Sequence, residues 1–250
     1  MTSFAFFDLD HTLLPFDTQA LFANFVQRRE PWRRAYVFAF APVAALRASG
    51  VVRTVTVKRA FMSYLWGMKR DRLEQLAREF AQTEVLHWAY PELRAAMAEH
   101  RAAGRTLVLN TASPDFYARE IALALGFDHC IATQIDTPSA MPFWPRVRGV
   151  NNKRGAKLDA MRRNLPAVAS ATAQQLRDSW SYSDSKADLP LLEFVGHAVL
   201  VHPDAALAAL GKERGWGLML PARPYASKLG DLGCSVRQAL GCWPVASASS

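Results

Sequence analysis

The stretch Phe4-Ala5-Phe6-Phe7-Asp8-Leu9-Asp10-His11-Thr12 decides the fold class of this 250-residue chain. Its first five residues are an apolar run that ends in an acid. That pattern is typical of a buried strand with a polar group at its carboxyl end. The stretch therefore predicts a buried strand followed at once by two candidate functional carboxylates, Asp8 and Asp10.

Strand-like and helical segments alternate along most of the remaining chain. No convincing strand lies between residues 17 and 87, where we expect helices at 18–29, 32–48, 54–66 and 71–83, the last one capped by Asp71. Further strands are expected at 106–110, 130–135, 179–183, 198–201 and 217–220, with helices between them. This alternation predicts an α/β fold, a Rossmann-like, doubly wound parallel sheet with helices on both faces.

The helical block after the first strand is then an inserted cap. We expect a catalytic core of residues 1–15 and 88–220, a helical cap of residues 16–87, and a weakly patterned, partly disordered tail of residues 221–250.

Composition narrows the class of protein. Half of the residues are hydrophobic and 21% are charged, so the chain should bury a core. The net charge of +8 favours anionic partners, but the positive residues are spread out, and we expect no nucleic-acid partner. The three cysteines form no Cys-x-x-Cys pair, which argues against a zinc site or a disulfide framework and fits a cytoplasmic protein.

One apolar stretch, Ala35–Leu46, could suggest a membrane segment. It is shorter than the roughly 20 apolar residues that span a bilayer. We therefore expect a buried helix of the cap and no stable membrane insertion, with contact at a membrane surface as the alternative.

Polar residues follow several of the predicted strands. In a parallel sheet, ligands bind beyond the carboxyl ends of the strands. The candidates there are Asp8, Asp10, Thr111, Ser113, Asp184 and Asp188, with Lys153 and Lys157 near the start of an intervening helix. A carboxylate that attacks a phosphate ester needs a divalent cation and positive donors to offset the charge, and Mg²⁺ prefers oxygen ligands such as these.

These residues resemble, in order and spacing, the four motifs of the haloacid dehalogenase superfamily. The motifs are Asp8-Leu9-Asp10-His11-Thr12, Thr111 after the run LVLN, Lys157 in Gly155-Ala156-Lys157 (with Lys153 as its rival), and Asp184-Ser185-Lys186-Ala187-Asp188. The helical insert and the string SYSDSKADLPLLEFVGHAVLVHPD resemble the phosphoserine-phosphatase-like branch, subfamily IB. The resemblance reaches to about Trp216 and implies a Mg²⁺-dependent phosphoric monoester hydrolase that acts on a small phosphorylated metabolite.

The resemblance also implies a role for each motif residue. Asp8 attacks phosphorus and becomes an aspartyl phosphate, while Asp10 protonates the leaving group and then activates water. By the same resemblance, Thr111 contacts the phosphate, Lys157 neutralises its charge, and Asp188 orients Lys157 and the metal ligands. Mg²⁺ is held by Asp8, Asp184 and the backbone carbonyl of Asp10. Substrate contacts are implied for Thr12, Ser113 and Asp17.

Asp17 bears on the identity of the substrate. It stands where phosphoserine phosphatases have a Glu that meets the substrate's amino group, so it suggests an amine-bearing ester such as phosphoserine, histidinol phosphate or phosphocholine. The alternative is that Asp17 only caps the first cap helix. Arg53, Lys58 and Arg59 are candidate counterparts of the cap arginine of those enzymes, and none can be aligned.

Structural alternatives remain for the other motif residues. Thr111 could be a helix N-cap, Lys157 could lie on a solvated helix face, and Asp184 and Asp188 could be a cap and a first-turn acid. Alternative functions are a phosphotransferase with the same intermediate and a membrane-associated protein that has kept the fold.

Overall fold

The computed structural model describes residues 3–149, 151–152, 155–171, 174 and 176–244. Within them, the strands of a single parallel sheet are β1 (Phe4–Phe7), β2 (Thr106–Pro114), β3 (His129–Thr133), β4 (Trp180–Ser183), β5 (His197–Val201) and β6 (Gly217–Met219). Their spatial order is β3-β2-β1-β4-β5-β6. Each overlaps a predicted run, and the predicted α/β, doubly wound fold class is confirmed.

Helices cover the two faces of the sheet and fill the segment between β1 and β2. They are α1 (Thr18–Arg29), α2 (Val37–Ala48), α3 (Thr54–Phe61), α4 (Arg70–Phe80), α5 (Leu86–Trp88), α6 (Pro91–Ala102), α7 (Asp115–Leu125), α8 (Gly155–Asn164), α9 (Pro166–Ala169), α10 (Leu189–Leu192), α11 (Ala205–Glu213) and α12 (Lys228–Ala239). Short 3₁₀ segments lie at Pro31–Tyr36, Met62–Leu65 and Lys186–Asp188, and a π-helical turn lies at Ala81–Val85.

The strand order places a topological switch point beside β1. This strand pairs with β2 on one side and with β4 on the other, with Phe7 opposite Leu109 and Tyr182. All four β1 side chains are buried, which explains the continuous apolar run. Because the chain continues to β2 and β3 on one side and to β5 and β6 on the other, a crevice opens at the carboxyl ends of β1 and β4.

The helical block between β1 and β2 matches the predicted helices with two differences. The second and third expected helices each contain a 3₁₀ segment, and α4 begins at Arg70, after Lys69, so Asp71 lies in the first turn and is not the cap. Buried Arg33 ties the block together, since its Nη1 donates to the carbonyls of Tyr64 at 2.7 Å and Trp66 at 2.9 Å. The division of the chain into core and cap stays a prediction.

Helix α2 is not the buried helix expected from the apolar stretch. Its Phe38 and Leu46 side chains are 81% and 49% exposed, whereas Phe40 is half-buried against the main core. No helix in the part of the chain that the structure describes is long and apolar enough to cross a membrane.

Part of the predicted tail, residues 228–239, is helical. They form α12, which packs on α1 of the helical block. Asn24 fixes the segment that follows, since its Nδ2 donates to the Trp243 carbonyl at 3.2 Å and its Oδ1 accepts from the Trp243 amide at 3.0 Å. The indole of Trp243 is 9% exposed, so apolar burial adds to these bonds.

Candidate active site

Asp8 lies at the switch point of the sheet. Its backbone amide donates to the Tyr182 carbonyl at 3.0 Å, which extends the β1–β4 pairing by one residue. Its side chain is 13% exposed. The carboxylate therefore sits in the crevice beyond β1, where the fold favours ligand binding.

A tight turn follows Asp8 and redirects the chain. The Leu9 carbonyl accepts from the amides of Leu13 at 3.0 Å and Leu14 at 3.2 Å. His11 adopts a left-handed conformation with φ of 56°. Asp8 and Asp10, before and within this turn, both line one cleft.

Lys157 bridges two carboxylates in the interior. Its Nζ lies 2.8 Å from Asp8 Oδ1 and 2.7 Å from Asp188 Oδ2, and it is 3% exposed. Ser183 Oγ also donates to Asp188 Oδ2 at 2.7 Å, so Asp188 holds both a hydroxyl and an ammonium. The alternative of a solvated Lys157 is excluded by this burial. Its rival Lys153 lies outside the described residues.

The charges around Asp8 are unbalanced. Burial raises the pKa of Asp8 well above its usual range, an effect that Lys157 opposes and that the carboxylates of Asp188, Asp184 and Asp10 reinforce. Burial likewise raises the pKa of Asp184. A cation bound beside them would oppose this effect at both carboxylates.

Asp10 is held by hydroxyl and amide donors from two parts of the chain. Its Oδ1 accepts from the Thr18 amide at 2.7 Å and from Thr18 Oγ1 at 2.6 Å, at the start of α1. Its Oδ2 accepts from Ser113 Oγ at 2.8 Å, at the end of β2. The predicted substrate residue Ser113 therefore contacts Asp10, and both residues line the same cleft.

Thr12 contacts Asp184. Its Oγ1 donates to Asp184 Oδ1 at 3.2 Å and accepts from the Asp184 amide at 3.0 Å, and the residue is fully buried. This placement differs from the predicted substrate contact, because the Thr12 hydroxyl bonds to Asp184 and Thr12 is not among the residues that line the cleft. Thr12 orients Asp184, and Ser185 caps the following 3₁₀ turn by accepting from the Ala187 amide at 3.2 Å. Asp184 is therefore not a cap.

Thr111 lies inside β2 and is fully buried. Its Oγ1 accepts from the Ser113 amide at 3.0 Å, and α7 follows Pro114 without a side-chain cap, so Thr111 is not an N-cap. Asn152 supports this segment by donating from Nδ2 to Asn110 Oδ1 and to the Thr111 carbonyl, both at 2.8 Å. These contacts stabilise the backbone where β2 reaches the cleft.

The cleft that contains Asp8 has a volume of about 600 Å³. Asp17, Lys58, Phe40 and Phe61 of the helical block line it together with residues of α12. Asp17 Oδ1 accepts from the amides of Gln19 at 2.8 Å and Ala20 at 3.2 Å, so it does cap α1, and it is also exposed to the cleft. The position of Asp17 fits both predictions, the cap of α1 and the substrate contact.

Of the three cap cations considered, Lys58 lines the cleft. Its Nζ donates to the Ala112 carbonyl at 2.5 Å and to Asn151 Oδ1 at 2.9 Å. Arg59 donates from Nε to the Pro145 carbonyl at 3.0 Å, and Arg53 is exposed at the start of α3. Lys58 therefore lines the cleft and also contacts β2 one residue beyond Thr111.

The donor set of the cleft fits Mg²⁺. The carboxylates of Asp8 and Asp184 line it, and a hard cation commonly takes one or two carboxylates plus water and substrate oxygens. Among the described residues, no group of three or more His, Cys, Asp or Glu side chains is arranged to hold a metal ion by itself.

Several residues of the site carry no recognisable signal in the sequence. Thr18, Ser183 and Asn152 contact motif residues through single hydroxyl or amide groups, and Asn151 accepts from Lys58. Thr18 follows a predicted helix cap, and Ser183 ends a predicted strand. The sequence therefore locates both residues in predicted elements but does not indicate their hydrogen-bond partners.

Comparison with known proteins finds chains of similar sequence. A model of the family described as haloacid dehalogenase-like hydrolase matches residues 5–193. A protein named histidinol-phosphatase from Neisseria meningitidis serogroup C (strain 8013) is 25% identical over 231 residues, covering 88% of this chain and 99% of its own. A protein named phosphoserine phosphatase SerB1 from Mycobacterium tuberculosis (strain ATCC 25618 / H37Rv) is 27% identical over 220 residues, covering 86% and 70%.

A solved structure gives the same fold. The crystal structure of a protein of unknown function from Bordetella pertussis Tohama I superposes with a TM-score of 0.73 at 26% identity, covering 88% of this chain and 99% of that chain. The resemblance drawn from the four motifs is confirmed, and the predicted enzyme class agrees with the phosphatase names of these relatives.

Proposed function

The chain belongs to the haloacid dehalogenase-like hydrolases, and from that premise we propose that it is a Mg²⁺-dependent phosphatase of small phosphate monoesters that works through an aspartyl phosphate on Asp8. The observation that carries the proposal is the buried Lys157 ammonium between Asp8 and Asp188, beside Asp10 in the same cleft. A carboxylate with a fixed cation next to it can approach a phosphate that would otherwise repel it.

The proposed reaction has two steps. A carboxylate oxygen of Asp8 forms a bond to phosphorus as the bond from phosphorus to the leaving oxygen breaks, and the leaving oxygen takes a proton from Asp10. Water then returns a proton to Asp10 and attacks the phosphorus, which releases inorganic phosphate and restores Asp8.

The surrounding residues support these steps by charge and position. Lys157 offsets negative charge on the transferring group, and Asp188 holds Lys157 in place. Asp8, Asp184 and the backbone carbonyl of Asp10 would hold Mg²⁺, which when bound supplies positive charge at the phosphoryl oxygens. Thr111 is proposed to meet a phosphate oxygen through its hydroxyl.

The nucleophile is tested by the Asp8→Asn variant. We expect hydrolysis of para-nitrophenyl phosphate with Mg²⁺ to fall by at least about 10³-fold, because an amide cannot form the covalent intermediate. Mass spectrometry of the quenched wild-type reaction should find phosphate on Asp8. The control is Asp204→Asn, since Asp204 caps α11 through the Leu207 amide at 2.7 Å and Asn caps equally well. A normal rate for Asp8→Asn would refute the mechanism.

We further propose an amine-bearing substrate, as an acid in the cleft wall suggests. Asp17 adds a carboxylate to the part of the cleft beyond the motif residues, so a substrate ammonium there would gain a charge-assisted hydrogen bond. The relatives named as phosphatases of histidinol phosphate and phosphoserine act on amine-bearing compounds by their names, which is in keeping with this proposal.

The Asp17→Asn variant separates charge from capping. Asn preserves the cap of α1 but removes the charge. We expect the ratio of kcat/KM for O-phosphoethanolamine to that for propyl phosphate, which is similar in size, to fall by about 10- to 100-fold. An unchanged ratio would leave Asp17 as a cap alone. Phosphoserine, histidinol phosphate and phosphocholine are the first metabolites to screen.

A further inference from the structure

The part of the cleft beyond the motif residues has an apolar wall beside its polar groups. The polar groups there include Asp17 and Lys58. The apolar members of the wall are Ala20, Phe40, Val57, Phe61, Val236 and Ala239. Pockets for small molecules are commonly lined by apolar side chains with a few polar groups that fix the orientation of the ligand.

Helix α12 supplies part of that wall, through Ser235, Val236 and Ala239. Its carboxyl end is fixed to the helical block. The Ala239 carbonyl accepts from Tyr36 Oη at 2.7 Å and from Gln27 Nε2 at 3.1 Å. These two hydrogen bonds therefore fix the α12 part of the wall in place beside the helical block.

Further bonds hold the same segment just beyond the helix. The Gly241 carbonyl accepts from Arg34 Nη2 at 2.8 Å, and Asn24 pairs with the backbone of Trp243. Together these contacts keep Val236 facing the cleft while the side chain stays 48% exposed. Half-exposure of an aliphatic side chain at a binding cleft leaves apolar surface that a ligand can cover.

We propose that the substrate's leaving group carries an apolar segment, of alkyl-chain or ring size, which packs against α12 at Val236 and against Phe61 and Val57 of the helical block. This inference rests on the proposed phosphatase function and adds the chemistry of the leaving group to it. The cleft volume of about 600 Å³ accommodates more than a phosphoryl group with its metal and water.

A homologous series of n-alkyl phosphates, from methyl to hexyl, isolates the apolar contact. Beyond the first members, the leaving-group alcohols differ little in acidity, so the chemical step is nearly constant along the series. Burying one methylene is worth up to roughly fourfold in binding. We expect kcat/KM with Mg²⁺ to rise by about two- to fourfold per methylene until the chain outgrows the cleft.

The Val236→Asn variant tests the wall directly. Val236 is half-exposed and in helix, where Val and Asn have similar propensities, so folding should be unaffected. We expect the gain in kcat/KM from methyl to hexyl phosphate to shrink at least fivefold in this variant. The matched control is Val51→Asn, at a valine that is 75% exposed and away from the cleft lining; its series should match wild type.

The outcomes separate the two proposals. A wild-type enzyme that hydrolyses all the esters with no rise along the series overturns the apolar segment and leaves the phosphatase function standing. A Val236→Asn enzyme with the wild-type slope overturns the role of α12. If no ester is hydrolysed with Mg²⁺, while binding of n-alkyl phosphonates is also absent, both proposals fail.

Discussion

Replacing Lys157 by methionine would leave two carboxylates in the interior without their shared cation. Lys157 and Asp188 are 3% and 2% exposed, and Asp8 is 13% exposed, so water can replace little of the lost interaction. Ser183 would remain as a single hydrogen-bond donor to Asp188. Methionine has a similar length and no charge, so the change removes the ammonium and little packing.

The expected magnitude follows from burial. Removing one partner of a buried ion pair costs about 3–5 kcal/mol, since an uncompensated charge stays in the protein. We expect the free energy of unfolding at pH 7.5 to fall by that amount and kcat to fall by at least about 10²-fold. An additional Asp188→Leu substitution in the Lys157→Met background should recover part of the stability, because it removes one of the stranded carboxylates.

Urea unfolding followed by circular dichroism measures the stability, and para-nitrophenyl phosphate hydrolysis measures the activity. The matched control is Lys186→Met, since Lys186 and Asp204 form an exposed pair at 4.0 Å; its unfolding should match wild type. A change below about 1 kcal/mol for Lys157→Met would refute the argument, because no buried charge would then have depended on this ammonium.

Three further changes probe the rest of the molecule. Burial lowers the pKa of His100 to about 4, so its neutral form stabilises the fold above pH 6.5 and this contribution is lost as the pH falls towards 4. Between those pH values, the wild type should lose up to about 3 kcal/mol more stability than His100→Gln. Thr18→Val should lower kcat by about 10- to 100-fold with KM little changed, because Asp10 loses a hydroxyl donor, whereas Thr18→Ser should stay near wild type. Gly241→Ala should destabilise the protein by about 1–3 kcal/mol, since its φ is 68° and a Cβ would lie 2.9 Å from Arg34 and Gln27.

Each of these has a matched comparison. His129→Gln makes the same substitution at an exposed position and is the control for the change of residue type. Parallel pH curves for wild type and His100→Gln would contradict the burial argument. Equal kcat values for Thr18→Val and Thr18→Ser would show that the hydroxyl does not position Asp10. Gly233→Ala, on an open face of α12, should stabilise by up to about 1 kcal/mol, opposite in sign to Gly241→Ala.

Much of the sheet was predictable because its signals are local. An apolar run that ends in Asp8 and five later runs between helical segments determine strand positions to within a few residues. The bounds of α1 are those predicted, since Asp17 caps one end and the apolar pattern continues to Arg29. The 3₁₀ segments that interrupt the helical block depend on long-range contacts such as those of buried Arg33. No local sequence pattern indicates these contacts.

The candidate site was predictable only where its residues stand in motifs. Asp8, Asp10, Lys157 and Asp184 line one cleft, as the spacing of the motifs suggested. Thr18 and Ser183 are common residue types in ordinary positions, and only the three-dimensional structure shows that each donates to a motif carboxylate. Thr12 was assigned to substrate because sequence order does not show that its hydroxyl faces Asp184.

Helix α12 was missed for a different physical reason. Glycines at 230 and 233 weaken its helix pattern, and single-sequence propensity treats them as breakers. The helix is stabilised by contacts with a distant segment, which include the bonds from Gln27 and Tyr36 to the Ala239 carbonyl. Tertiary packing therefore decides the structure of this segment.

The position of Asp10 couples that packing to the proposed chemistry. Its two oxygens are held by Thr18, in the first turn of α1, and by Ser113 at the end of β2. Helix α12 packs on α1, so undocking it should loosen Asp10 as well as the fold. Gly241→Ala is therefore expected to lower kcat by several-fold under conditions where the protein is still fully folded, with Gly233→Ala at the wild-type rate. If α12 and Asp10 were independent, Gly241→Ala would reduce the free energy of unfolding and leave kcat unchanged.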